Sequence, residues 1–269
     1  MSPAETYTHG HHESVLRSHR WRTAENSAGY LLPHLTSGQR LLDIGCGPGT
    51  ITLDLARRVA PGQVVGLDRE VTPLIAARAS VTEQGVPNVG FTVGDAYQLD
   101  FGDGCFDVVH AHQVLQHLTD PVAALREMGR VCKPGGLVAV RDADYAAMTW
   151  YPADPRLDRW LELYQRVARD NGGEPDAGRR LLAWAKAAGF TDITSTATAW
   201  CYSTAAEREW WGGMWAERIT QSAIAHQAVA SGFADRDELD ELAAGWLDWT
   251  RAQDGWFAVL NGEALCRVG

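Results

Sequence analysis

A chain of 269 residues, 45% of them hydrophobic, is long enough to bury a full core as one large domain with room for an inserted cap. A formal net charge of −10 argues against a surface that tracks nucleic-acid phosphates, because such surfaces rest on clustered Lys and Arg; a small-molecule partner is favoured. The five cysteines (Cys46, Cys105, Cys132, Cys201, Cys266) lack CxxC spacing, which argues against a disulfide framework or a zinc site, and no apolar stretch reaches the roughly 20 residues of a membrane helix.

In chain order, the opening "MSPAETYTHGHHES" has no basic segment followed by an apolar core, so no secretory signal is expected and the cytoplasm is the expected location. His9, His11 and His12 read as part of a polar N-terminal segment rather than a metal cluster. Residues 13–35 read as one or two helices ahead of the first strand. Between residues 40 and 141, β-rich runs alternate with helical patterns, the signature of βαβ units and a parallel sheet. "RLLDI", "QVVGLD", "VGFTV", "FDVVH" and "GLVAVRD" supply the first five strands. The second unit's helix is expected to begin at Thr72-Pro73 and to stop at Gly85; a later one begins at Asp120-Pro121 and closes at Lys133-Pro134-Gly135-Gly136. "FTDITSTATAW" and "GWFAVLNGEALCRV" complete a seven-stranded sheet, with the helical stretch between them inserted over its binding edge. Ten of the eleven tryptophans fall at or beyond Trp150. They read as filling between the extra helices and the sheet or as the wall of a pocket, and any exposed on the last helices would mark a homodimer surface.

The turn "LLDIGCGPGT" ends an apolar run at Asp43 and places glycines at alternate positions, Gly45, Gly47 and Gly49. In a doubly wound sheet the first βα turn is the usual ligand cradle. A dinucleotide turn wants G-x-G-x-x-G/A, yet counting from Gly45 the third place is Thr50. Asp43 would also set a carboxylate near a pyrophosphate, so a cationic ligand suits this turn better.

That turn, then "VVGLD", "VGDA", "FDVVHAHQVLQHL" and "RVCKPGG", in this order and each near a strand end, resembles the motif series of class I S-adenosylmethionine-dependent methyltransferases, most similar to the ubiquinone/menaquinone-biosynthesis-like group. The resemblance spans roughly residues 20–145. It implies a Rossmann-like, doubly wound, mainly parallel α/β sheet with helices on both faces, in one domain of three parts. These are an N-terminal helical lid (1–38), a cofactor-binding core (39–145), and cap helices with the last two strands (146–269). It implies S-adenosyl-L-methionine as cofactor, S-adenosyl-L-homocysteine as product and a small-molecule methyl acceptor, with neither nucleic acid nor membrane as partner. By the same resemblance the backbone of Gly45, Cys46 and Gly47 lines the methionine part, and Asp43 supports the turn or the ligand's amino group. Asp68 accepts from the ribose hydroxyls, a role that also suits an acidic residue about 20 positions past the turn. Arg69 flanks the adenine, Asp95 takes its exocyclic amine and Ala96 offers its backbone. Ala111, His112 and Gln113 face the methionine moiety and the substrate, while Tyr7 and Arg22 belong to the segment that folds over the cofactor.

Methyl transfer is an in-line displacement at an already activated carbon, so the protein's work is alignment, desolvation and, where needed, proton removal. A histidine suits the last task, and His112 is the first choice. His117 reads as a second base or as a brace for its loop. "RDADY" brings Asp142, Asp144 and Tyr145 to the same rim, where Asp142 or Tyr145 would orient a substrate hydroxyl or amine. No metal is expected, since a magnesium site would want a carboxylate where Ala111-His112-Gln113 stand. The aromatic cap and acidic chain point to a flat, apolar or weakly basic acceptor, such as an indole, a phenol or a quinone-like ring of secondary metabolism. Two alternatives stand beside this: a non-catalytic cofactor-binding scaffold or sensor, and a nicotinamide-dependent oxidoreductase. A large apolar pocket beside the cradle favours an enzyme over the scaffold, and thermal protection by S-adenosylhomocysteine but not NAD(H) separates the other.

Overall fold

In the computed structural model, which describes Thr8 and residues 13–269, the chain runs through α1 (Glu13–Arg20) and the single turn α2 (Ala24–Ser27) before reaching the sheet. Tyr7, His9, His11 and His12 lie outside the described residues. A parallel series follows: β1 (Leu41–Ile44), α3 (Thr50–Val59), β2 (Val64–Asp68), α4 (Val71–Gln84), β3 (Val89–Val93), β4 (Phe106–His112), α5 (Pro121–Val131) and β5 (Cys132–Ala143). β1 and β4 are buried along almost their whole length, as a sheet covered on both faces demands. The Asp120 side chain accepts from Ala123 N with Pro121 at the first helical position, so α5 begins where its cap residues place it. α4 stops at Gly85 (φ 63°) as expected but starts at Val71, one residue before Thr72, and Glu70 makes no side-chain cap bond. α5 ends at Val131, and Lys133–Gly136 already belong to the outer end of β5.

The rest of the chain comprises β6 (Thr149–Tyr151), α6 (Pro155–Asp170), α7 (Leu181–Ala188), β7 (Asp192–Tyr202), α8 (Ala205–Gln221), α9 (Ala223–Ala230), α10 (Arg236–Arg251) and β8 (Trp256–Arg267). The sheet order is β3-β2-β1-β4-β5-β8-β6, with β7 on the other edge of β8. β8 is antiparallel to β5, β6 and β7. The sheet therefore has eight strands rather than seven. A 3₁₀ turn at Tyr145–Ala147 steps the chain away from β5, and Thr149–Tyr151 rejoin the same edge of β8 opposite Trp256–Ala258. Three residues without flanking turn signals leave no periodicity to read.

Apolar clusters cover both faces of the sheet, one reaching α5 and α7 and the other α3 and the N-terminal segment. A third cluster forms the cap from α6, α8, α9 and α10, the last three lying in the connection between β7 and β8. At its centre Trp160 meets Trp215 and Trp246 edge-on, with centroids 4.5 and 4.8 Å apart. Trp246 and Trp249, on the last helix, are buried at 0% and 2% exposure, so they mark no dimer surface. Among the described residues no helix is long and apolar enough to cross a membrane.

Candidate active site

β1 has β2 on one side and β4 on the other, so the chain direction switches at its carboxyl end, where the glycine turn sits. Gly45, Gly47 and Gly49 all adopt positive φ (66°, 54° and 80°), which disfavours any residue with a Cβ. A Cβ on Gly45 would lie 2.4 Å from Val114 Cγ2, and one on Gly49 would lie 2.8 Å from Phe91 Cζ. The alternate spacing is thus a requirement of close backbone approach, with Gly49 also capping α3. The turn is tied to the end of β2: Cys46 N donates to Leu67 O (3.0 Å) and Gly47 N to Asp68 Oδ2 (2.8 Å). Asp68 Oδ1 accepts from Glu70 N (3.0 Å). Behind the turn, Asp43 accepts from Thr52 Oγ1 at 2.6 Å and lies 2.7 Å from His110 Nδ1, its register neighbour on β4. Both oxygens of Asp43 are therefore occupied in bracing the turn.

The turn opens into one cavity of about 240 Å³ that runs on beneath the cap. Arg22, Asp43, Gly45, Cys46, Gly47, Asp68, Arg69, Asp95, Ala96, His112, His117 and Tyr145 all line it. Asp95 also closes a local turn, its Oδ1 accepting from Tyr97 N at 2.9 Å. Ala111 is buried within β4 and does not line the cavity. Asp142 lies beneath the floor, where its Oδ1 accepts from Gln116 N (3.0 Å), and Asp144 is held by Arg179 through two 2.6 Å bonds. Neither carboxylate reaches the rim as the "RDADY" run suggested.

The titratable groups differ in what holds them. Burial pushes His112 well below the usual imidazole range, and the charges of Arg22 and Arg141 push it further, so the ring is neutral at neutral pH. Neither ring nitrogen of His112 has a protein partner. His117 is pushed down to about 3 by burial, then by Arg22. Its Nε2 lies 3.0 Å from Gln116 Nε2, an amide nitrogen that only donates, so His117 accepts and braces the loop. Tyr145 stacks on Tyr164 at 3.9 Å, and burial raises its phenol above the ordinary value.

Burial pushes Asp142 up to about 8. The folded state then holds a proton that the unfolded chain releases near pH 4, so this residue lowers stability as pH rises toward about 8. Asp142→Asn is expected to raise the melting temperature relative to the parent by a margin that widens from pH 5 to pH 8. Thermal scans across that range would reject the assignment if the margin stayed constant.

Sequence reasoning left unresolved which tryptophans reach the site. Trp21, Trp200, Tyr202, Trp210, Trp211 and Trp215 line the cavity, whereas Trp160, Trp246 and Trp249 belong to the cap core alone. Both readings of the aromatic cap thus hold, and Trp200, Trp211 and Trp215 serve both, since they belong to the core cluster and line the cavity. Trp200 faces the lid, its Nε1 donating to Asn26 O at 2.6 Å and its ring edge-on to Trp21 at 5.4 Å. His110 went unnoticed, although alternation along "FDVVHAH" puts it on the same face as His112. Gln113 is the described non-glycine residue with positive φ (53°), and its side chain accepts from Arg22 while donating to Asn261.

A backbone cradle that a Cβ would obstruct, carboxylates at the ends of three successive strands and an aromatic cavity beyond suit a cationic nucleoside and its reaction partner. This fold and this site define a class I S-adenosylmethionine-dependent methyltransferase. Residues 35–204 match a family model described as a methyltransferase domain, and the chain belongs to that family. It is 33% identical over 268 residues to an uncharacterized methyltransferase of Schizosaccharomyces pombe, covering 96% of this chain and 95% of the relative. It is 37% identical over 129 residues to a demethylmenaquinone methyltransferase of Lactococcus lactis, covering 48% and 49% of the two chains. The fold is similar to that of phosphoethanolamine N-methyltransferase 2 of Haemonchus contortus, solved with phosphomonomethylethanolamine and S-adenosylhomocysteine. That match has a TM-score of 0.56 and 23% identity, over 87% of this chain and 50% of that one. The chain is an enzyme that uses S-adenosylmethionine.

Proposed function

We propose that the enzyme methylates carbon, oxygen or nitrogen on a small, flat aromatic or apolar acceptor, a secondary metabolite or quinone-like ring, in the cytoplasm. The observation that carries this reading is the continuity of the cradle with a cavity walled by Trp21, Trp200, Tyr202, Trp210 and Trp211. Such a pocket beside the cradle is what an enzyme needs and a cofactor-binding scaffold does not. The five unpaired thiols suit a reducing compartment.

In this reading Gly45, Cys46 and Gly47 hold the methionine part of the cofactor, Asp68 the ribose, and Asp95 and Ala96 the adenine edge, with Arg69 and Arg22 flanking. S-adenosylmethionine bound there would supply an activated methyl group for transfer to a nucleophilic oxygen, nitrogen or ring carbon of the acceptor, leaving S-adenosylhomocysteine. The chain's own groups do the rest. The cap rings exclude water and align the acceptor, and Tyr145 orients it. His112, neutral and without a protein partner, takes the proton that the acceptor releases.

Incubation with a methyl-labelled cofactor and a panel of phenols, indoles, quinols and aliphatic acids, followed by mass spectrometry, tests this. Label in the aromatic products is expected. Transfer confined to aliphatic acids or to macromolecules would reject the reading.

A further inference from the structure

The segment ahead of the sheet joins the two parts of the molecule that enclose the cavity. Ser18, His19, Trp21 and Arg22 line it, and a Cβ on Gly47 would lie 3.8 Å from His19 Nδ1, so the segment passes over the glycine turn. Toward the core, Thr50 Oγ1 donates to His19 O at 3.2 Å and Ala24 N donates to Asp54 Oδ2 at 3.0 Å, both partners belonging to α3. Toward the cap, Arg218 Nη2 of α8 donates to Ser14 O and Ser18 Oγ at 3.0 Å. A ligand seated in the cradle leaves past this segment.

Trp200, near the end of β7, reaches from the sheet into the segment. Its Nε1 donates to Asn26 O at 2.6 Å, a bond between residues 174 positions apart, and its ring meets Trp21 edge-on at 5.4 Å. Asn26 belongs to the single turn α2, whose carbonyls have no further helix to accept from, so the indole N–H satisfies one of them. The ring is also held from the sheet. The Arg141 guanidinium lies 4.6 Å from its centroid, itself paired with Glu263 at 3.2 Å, and the His112 ring lies 5.6 Å away. Trp200 is 7% exposed and anchored on a buried ion pair, so it does not travel with the segment when the segment lifts. Opening therefore breaks the bond to Asn26.

We propose that Trp200 is a positioning residue that latches this segment over the cradle, so that S-adenosylhomocysteine leaves when the bond between Trp200 and Asn26 opens. The inference goes beyond the acceptor reading and holds whichever acceptor is methylated, while resting on the placement of the cofactor in the cradle. Trp21 and Trp200 both wall the cavity beneath the cap, so the same latch shuts water out of the acceptor's part of it. Lid opening and product release limit turnover in many enzymes, which makes the strength of such a latch a determinant of rate.

Displacement of labelled S-adenosylhomocysteine from the full chain by an unlabelled excess, with amide exchange followed peptide by peptide, tests the latch. Trp200→Phe keeps an aromatic ring and removes the donor. It is expected to raise the dissociation rate roughly threefold to tenfold and to speed exchange in residues 13–34 more than elsewhere. Trp21→Ala removes the edge-on contact at a position 37% exposed, where no core is emptied, and is expected to act in the same direction. Trp246→Phe trims a cap ring that does not line the cavity; it is expected to lower the melting temperature and leave dissociation and exchange in residues 13–34 at parental values. An unchanged dissociation rate in Trp200→Phe would overturn the assignment, as would an equal rise in Trp246→Phe. If Trp200→Phe does not fold, an unchanged rate in Trp21→Ala overturns it instead. Product that slows exchange at residues 44–49 but not at 13–34 would overturn the latch and leave the cradle placement standing, whereas no protection at 44–49 would overturn both.

Discussion

Replacing Asp68 by alanine is expected to weaken S-adenosylhomocysteine binding roughly 30-fold to 1000-fold, a loss of about 2–4 kcal/mol. One carboxylate does two things here. It accepts from Gly47 N at 2.8 Å and Glu70 N at 3.0 Å, which sets the glycine turn against the end of β2, and it faces the cavity where the ribose hydroxyls are proposed to lie. Alanine removes the proposed ribose acceptor and frees the turn together, and hydrogen bonds to a charged group are each worth about 1.5–3 kcal/mol. Asp68→Asn retains one acceptor oxygen but turns an N–H₂ toward the other site, so a smaller loss, near tenfold, is expected. Calorimetry with S-adenosylhomocysteine reads both variants, and thermal scans establish that they fold. Unchanged affinity in Asp68→Ala would remove Asp68 from the cofactor site.

The core of this fold was legible because its signals are local. Glycine at alternate positions, Asp68 closing an apolar run and Asp120-Pro121 opening a helix each reflect a constraint imposed within a few residues. The resemblance gathered those signals into one cradle, and the cavity indeed brings Asp43, Asp68 and Asp95 together. What escaped the sequence depends on contacts between distant segments. The roles of Asp142 and Asp144 were misplaced because alternation fixes only which face of β5 a side chain takes, not that Gln116 and Arg179 would claim it. Which tryptophans of the core also reach the cavity depends on how distant segments pack, and no spacing along the chain records that. β6 was missed because three residues carry no period.

His112→Gln is expected to lower kcat by about two to three orders of magnitude on an acceptor that must lose a proton, while S-adenosylhomocysteine affinity stays within about threefold. The ring is 5% exposed, lines the cavity and has no protein partner on either nitrogen, so substrate meets a base that nothing else occupies. The pH profile carries a second signature. Burial, then Arg22, Arg141, His110 and His19, disfavour the imidazolium, so the acid limb of kcat/KM should lie well below the ordinary histidine value near 6.5, with the rate level through neutrality. Arg141 sits opposite His112 in the β4–β5 register and is paired with Glu263 at 3.2 Å, both fully enclosed. Removing Arg141 alone would strand a buried carboxylate, a destabilisation of about 3–5 kcal/mol, whereas Arg141→Met with Glu263→Gln removes both charges. In that double variant protonating His112 no longer opposes a neighbouring guanidinium, and the acid limb is expected to move to higher pH. A kcat that falls without any limb displacement would make Arg141 a packing element only, and a His112→Gln enzyme with parental kcat would place the base elsewhere.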